Sequence, residues 1–507
     1  SGGRPFFAES PEAGRGRRLY TAPAGDGVLQ GNGSSRMLRR LLASPWPYFV
    51  LAGIFLLVAV LTQIHIGIPT RPRGDVSQLK SLHERRDLNV ILVVVGSLRA
   101  DHLSAYGYEK PTSPLLDQLA AGGVRFAHVL AQSSWTKSSM ASLWQAAYPV
   151  RTGILRYDQA IPASAVLPAK ELRAAGFRTA GIHRNPWLDA RFGFANGFED
   201  YLVPTPAPAE AGSTSAPEPS DRDLTASALE FIRAHESERF FLYVHYMDVT
   251  RGYSGELGPA FGSLRADLYD ASVRWVDLNL ARLQQELEDR NLSKKTIFVV
   301  ASDQGAELAE HGGAGEGQTL YHEVLEVPLL VNLPFRLRPG LVVDEPVENV
   351  DLWPTLLDLL GQPPLPKSDG RSLVPLIEAA ATPPPSNAGF HGWTRPSFAE
   401  VDRSWGTPGM PPNRIVSVTS GTLQLISPEK GGGDPELFDV LSDAAEQRNL
   451  APDQPESVSD LRKQIDSYRQ LPPLGAPSTV VLDARALEIL GIRSDPSRVP
   501  EAPRESR

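Results

Sequence analysis

A chain of 507 residues, 41% hydrophobic and 21% charged, is long enough to bury a full core without staples. Its formal charge of −9 and pI near 5.7 exclude the basic field that draws nucleic acid. It has no cysteine, which excludes disulfides, thiolate zinc sites and cysteine nucleophiles together. Length predicts two to four domains of ordinary size, or one large α/β domain with an appendage.

Residues 1–46 read as a disordered tail, rich in Gly, Arg and Ser and without periodicity. Met37 opens the run Met-Leu-Arg-Arg, so residues 1–36 are either a cytoplasmic tail or sequence ahead of a natural start. Residues 47–68 carry no acid or base except His65, and their length fits the roughly 20 apolar residues that cross a bilayer. Trp46 and Tyr48 stand where interfacial aromatics belong, with Arg36, Arg39 and Arg40 ahead of the run. No small-x-small pattern succeeds it, which favours an anchor over a cleaved signal. One N-terminal transmembrane helix is predicted. Arg71, Arg73 and Lys80 balance the charges ahead of it, so charge does not orient it.

A polar linker (69–87) leads into an α/β domain expected over 88–378. NVILVVV at 89–95 is a continuous apolar run, as in a strand covered on both faces. Helices are predicted at 113–121, 138–147, 168–175, 224–235 and 268–291, alternating with strands at 178–183, 240–247, 296–301 and 327–331. That alternation predicts a doubly wound, mostly parallel sheet. Pro/Ala/Ser stretches at 203–220 and 379–387 read as loops. A small C-terminal α+β subdomain is expected over 388–470, with a hairpin at 415–426 and a strand at 436–440. A Pro-rich tail (471–507) carries a short helix near 482–490.

In an open parallel sheet, ligands sit beyond the carboxyl ends of the strands. The strand at 89–95 runs into Gly96-Ser97-Leu98-Arg99, the one at 240–247 into Asp248, and the one at 296–301 into Asp303-Gln304-Gly305. Thr136 opens a predicted helix, where free N–H groups favour an anion. Each has a plainer alternative: Thr136 as an N-cap only, Asp303 as a turn residue, and Asp101 and His102 as structural groups. His183, His245, His311 and His322 read as satisfied polar residues or as a remodelled metal site. Arg99 and Lys137 are candidates for holding an anion without metal.

The text from 89 to 153, which opens NVILVVVGSLRADHLSAYGY and continues through SSWTKSSMASLWQAAYP, resembles the start of a sulfatase domain. FFLYVHYMD, FVVASDQGAELAEHGG, ENVDLWPTLLDLLG, DGRSL and ELFDVLSDAAEQRNLA extend the resemblance in order to about residue 490. It implies the alkaline-phosphatase/sulfatase fold and one or two divalent cations beside a formylglycine, Thr or Ser nucleophile. By the same resemblance the nucleophile position is Thr136, the first-strand Asp falls on Gly96, and the Asp-His or Asp-Asn pair is Asp303-Gln304. The later His positions are Glu316 and Thr250.

The candidate metal ligands that remain are therefore Asp303, Gln304, Glu316 and Asp248. They imply no cofactor, or a weakly bound Ca²⁺ or Mg²⁺ rather than Zn²⁺. Ester hydrolysis of this kind needs about 20 kcal/mol of catalysis, and a cation supplies several of them. No formylglycine can form at Thr136. The expectation is a single-pass membrane protein with its large domain outside the cytoplasm. It is catalytically impaired and binds an anionic glycan, a lipid headgroup or a protein partner. The alternative is an active phosphoester or sulfoester hydrolase with Thr136 as nucleophile.

Overall fold

The computed structural model describes residues 45–46, 49, 71–206, 218–252, 261–381, 392–429 and 433–492. The chain divides into two units, Ser1–Ile68 and Pro69–Arg507, and the second holds the whole α/β architecture. Apart from Phe49, the predicted span 47–68 lies outside the described residues. Among the described residues no helix is long and apolar enough to cross a membrane.

Strand β1 (Asn89–Val95) is buried at all seven positions. Val90, Leu92 and Val94 enter one core, and Ile91, Val93 and Val95 enter another. A strand covered on both faces has no use for polar alternation, which is why its sequence is one apolar run. Helix α1 (Pro114–Gly122) and strand β2 (Val124–Phe126) come next, then helix α2 (Thr136–Gln145). After these lie β3 (Arg178–His183), β4 (Asp200–Leu202), helix α3 (Asp221–Ala234) and β5 (Phe240–Tyr246). The 25-residue helix α4 (Arg265–Asp289) precedes β6 (Thr296–Ser302), β7 (Leu329–Asn332), β8 (Leu341–Val343) and helix α5 (Leu352–Leu359).

The eight strands form one sheet in the order β8-β2-β7-β6-β1-β5-β3-β4. Every pairing is parallel except those of β7, which runs antiparallel to β2 and β6. The predicted mixed α/β fold with a mostly parallel sheet is observed.

The C-terminal part is a four-stranded antiparallel sheet of β9 (Trp393–Asp402), β10 (Arg414–Gly421), β11 (Leu423–Pro428) and β12 (Glu436–Asp439). Helix α6 (Pro455–Arg469) packs on it through Val458, Leu461, Ile465 and Tyr468. Neither β9 nor α6 is among the predicted elements. Helix α3 begins three residues ahead of its predicted start because Ser220 and Asp223 form a reciprocal capping box. Helix α2 spans 136–145 rather than 138–147, since Ala146 turns into the left-handed region at φ 48° and ends it.

Candidate functional site

Strands β1 and β6 are neighbours, so their carboxyl ends bring Gly96-Ser97 beside Asp303-Gln304. Ser97 takes φ 59°, and its backbone N–H donates to Asp303 Oδ1 at 3.2 Å. The backbone N–H of Gln304 donates to the same oxygen at 2.9 Å. Helix α2 reaches this corner through Ser139, whose hydroxyl donates to the Asp303 carbonyl.

Thr136 is the first residue of α2 and is buried. It is not the N-cap: Trp135 holds that position, without a side-chain cap. Gln304 Nε2 donates to Thr136 Oγ1 at 2.9 Å and also to Glu316 Oε2. Ser97 Oγ donates to Glu316 Oε2 at 3.2 Å and lies 3.0 Å from Thr250 Oγ1. Ser97, Thr136, Thr250, Asp303, Gln304 and Glu316 thus form one connected group, drawn from two strand ends, two helices and a loop.

Two carboxyls share this corner and neither is comfortable as an anion. Burial pushes Asp303 up to about 7, against hydrogen bonds from Thr136 and the N–H groups of Ser97 and Gln304. Burial and then repulsion from Asp303 push Glu316 up to about 8. His245, at the end of β5, is held down to about 3 by burial, with His183 and Arg184 adding repulsion.

The residues present do not fit the cation that the resemblance implies. A Cβ on Gly96 would lie 2.7 Å from Thr250 Oγ1 and 3.5 Å from His245 Nε2, so this position offers neither a carboxylate nor room for one. The amide nitrogen of Gln304, not its oxygen, faces Thr136 and Glu316. Among the described residues Asp303 Oδ2, His245 Nε2 and Gln304 Oε1 are buried without a hydrogen-bond partner, and the first two face each other at 3.9 Å. No third His or carboxylate among the described residues groups with these two as a ligand set. The one set of three His or carboxylate ligands within reach of each other among the described residues lies elsewhere, at Glu307, His311 and Glu323.

Asp248, expected among the ligands, is committed to an ion-pair network instead. Oδ1 accepts from Arg184 Nη2, and Oδ2 accepts from Trp275 Nε1 at 2.8 Å and from the Asp221 N–H at 3.3 Å. Arg184 also pairs with Asp221 at 2.9 Å, both side chains being buried. These partners turn the Asp248 carboxylate toward Arg184, Asp221 and Trp275.

The anion candidates are committed as well. Lys137 turns inward, 3.6 Å from the Phe192 ring centroid, and donates to the Tyr157 carbonyl at 2.6 Å. Burial lowers its pKa well below the ordinary value. Arg99 grips Asp101 through two bonds of 2.9 and 2.7 Å and also pairs with Glu310. His102 Nδ1 lies 2.7 Å from Asp270, which fits the structural role expected of it.

The strand ends and the start of α2 thus meet at the place where the sulfatase resemblance puts its site. The sulfatase profile matches residues 88–362 and the N-sulphoglucosamine sulphohydrolase C-terminal profile matches 310–470. The chain belongs to the sulfatase family. It is 24% identical to mouse steryl-sulfatase over 75% of this chain and 81% of that protein. It is 26% identical to bovine arylsulfatase A over 76% of this chain and 87% of that protein. Among solved structures it is similar to a putative sulfatase from Bacteroides thetaiotaomicron, with TM-score 0.62, 18% identity, and 79% and 96% of the two chains covered. It is also similar to the phosphonate monoester hydrolase of Agrobacterium radiobacter, with TM-score 0.61, 19% identity, and 75% and 95% covered. These structures share the fold.

Proposed function

We propose that this sulfatase-family domain has lost metal-dependent ester hydrolysis and acts as a membrane-anchored binding module. The observation that carries the reading is the hydrogen-bonded group Thr136–Gln304–Glu316, which stands where the family arrangement calls for a cation and a free nucleophile. The Thr136 hydroxyl accepts from the Gln304 amide, and Gly96 and Thr250 stand where the family arrangement places ligands for the Lewis acid that would activate it. Of an anionic glycan, a lipid headgroup and a protein partner, the geometry favours the protein partner. Arg99 and Lys137, the basic residues next to the site in sequence, are already paired or turned inward.

Residues 47–68 are the proposed anchor, with the large domain outside the cytoplasm. Release of the full chain from membranes by carbonate washing would rule the anchor out. The chemistry is tested by turnover of p-nitrophenyl sulfate and p-nitrophenyl phosphate during titration with Ca²⁺, Mg²⁺, Mn²⁺ and Zn²⁺. The expected result is no turnover above a Thr136→Ala control. Turnover at ordinary enzyme rates, about 1 s⁻¹ or faster, that Thr136→Ala abolishes would sink the proposal.

A further inference from the structure

Glu307, His311 and Glu323 offer ligand atoms that all lie within 4.8 Å of one another. They sit on the loop after β6, beyond the Gly305 turn, and at the start of the short helix His322–Leu325. All three are largely withdrawn from solvent: Glu307 is 3% exposed, and the His311 and Glu323 side chains are 13% and 8% exposed. One oxygen of Glu307 accepts from Thr319 Oγ1 at 3.1 Å, while the other, Oε1, is buried with no partner among the described residues. A buried carboxylate oxygen left bare costs about 1–3 kcal/mol or more, and native structures rarely leave one unexplained.

The loop is shaped around that carboxylate. A Cβ on Gly313 would lie 2.4 Å from Glu307 Oε2 and 2.7 Å from Oε1, so the Gly313 backbone packs directly against the carboxylate and a side chain there would displace it. The loop closes on itself through the Glu307 N–H to the Gly315 carbonyl at 2.9 Å and the reverse bond at 3.0 Å.

His311 is placed as a metal-ligating imidazole is placed. Its Nε2 faces the Glu446 backbone carbonyl at 3.2 Å, and its ring stacks on Tyr321 with centroids 3.7 Å apart. A ligating histidine commonly donates its far N–H to a backbone carbonyl, which fixes the tautomer and points the other nitrogen at the metal. The other nitrogen, Nδ1, points at Glu323 Oε1 at 2.6 Å.

We propose that Glu307, His311 and Glu323 form a structural site for one Zn²⁺-type divalent cation, separate from the cleft at Thr136. Zn²⁺ sits about 2.0–2.2 Å from carboxylate oxygen and imidazole nitrogen, so donors this close together converge on it with small side-chain movements. Three protein ligands including one imidazole suit Zn²⁺ better than Ca²⁺, which takes 6–8 oxygens. The cation replaces the proton shared by His311 Nδ1 and Glu323 Oε1, and that proton leaves to solvent. A cavity of about 660 Å³, lined in part by Glu310, Glu323, Ala444 and Gln447, reaches the Glu323 side and supplies an entry path and a water for the fourth position. The bound cation ties the loop that carries Glu316 to the segment around Glu446 and Gln447 in the C-terminal part.

The test uses the tag-free full chain in detergent, stripped of metal and titrated calorimetrically with Zn²⁺ alone. One equivalent is expected to bind. Glu307→Gln and Glu323→Gln, both isosteric, are each expected to weaken binding at least 10-fold, while Asp303→Asn binds as the parent does. X-ray absorption on the Zn²⁺-loaded parent, which depends on no variant folding, is expected to show one imidazole among oxygen ligands. Absence of binding, binding unchanged in both Gln variants, or a spectrum with two or more imidazoles would overturn the proposal. Binding lost in Asp303→Asn but kept in the Gln variants would also overturn it, and would place the cation in the cleft instead.

Discussion

A chain carrying Gly96→Asp, Thr250→His, Gln304→His and Glu316→His is expected to bind one divalent cation in the cleft at least about 100-fold more tightly than the parent cleft does. The four positions are already in contact: Ser97 Oγ bridges Thr250 and Glu316, Gln304 donates to Glu316, and a Cβ at residue 96 would lie 2.7 Å from Thr250 Oγ1. That last distance also predicts non-additivity. Gly96→Asp alone forces Thr250 aside and adds a third carboxyl to Asp303 and Glu316, at about 1–3 kcal/mol from overpacking alone. With Thr250→His and the other imidazoles in place, a bound cation gives the carboxylates a charge to face and offsets that cost. The measurement is Zn²⁺ titration in a Glu307→Gln background, so that only the cleft is read. A correctly folded variant with no gain in affinity would mean that these positions cannot be brought around a cation.

Glu316→Gln is expected to stabilise the domain at pH 8 and to leave it unchanged at pH 4. In the fold this carboxyl titrates near 8, against an ordinary value of 4.5. An acid whose pKa is raised by folding contributes its stability below the unfolded value and loses it as pH rises through the folded value. Stability should therefore fall between about pH 4.5 and 8, with Asp303 adding a loss between its ordinary 3.8 and about 7. Glutamine keeps an acceptor for Gln304 and Ser97 and removes the charge. The gain at pH 8 should be on the order of 2–4 kcal/mol. Thermal melts from pH 4 to 9 check it. A Glu316→Gln variant less stable than the parent at pH 8 would show that a positive charge or cation normally balances Glu316.

Much of the scaffold is legible because its signals are local. Strand β1 is seven apolar residues in a row and is buried throughout, and α4 shows its amphipathic period over 25 residues. Strand β9 escapes because Thr394, Arg395 and Pro396 interrupt its pattern, and its pairing with β10 shifts register between Trp393 and Ser397. Helix α6 carries a readable signal: Val458, Leu461, Ile465 and Tyr468 recur at helical spacing and are the residues it buries. The convergence of Thr136, Asp303, Gln304 and Glu316 comes from strand order, which the family resemblance supplies and residue periodicity does not. Asp248 shows the limit of reading strand ends. Its position is as expected, but its neighbours Arg184 and Trp275 come from elements whose contacts no local pattern reveals. The Glu307–His311–Glu323 group is hidden for a related reason. Its histidine stands out in the sequence, while the carboxylates that face it are set by a glycine loop and a later helix start.

The proposed loss of the catalytic cation site is tested most directly by anomalous scattering from crystals soaked in Zn²⁺ or Mn²⁺. No anomalous peak is expected within about 3 Å of Asp303 and Gln304, a range that covers any direct metal–ligand bond. Gln304 Nε2 is expected still to bridge Thr136 and Glu316 after the soak. A full-occupancy peak between Asp303 Oδ2 and His245 Nε2, with Thr136 Oγ1 turned toward it, would contradict the loss of the metal site.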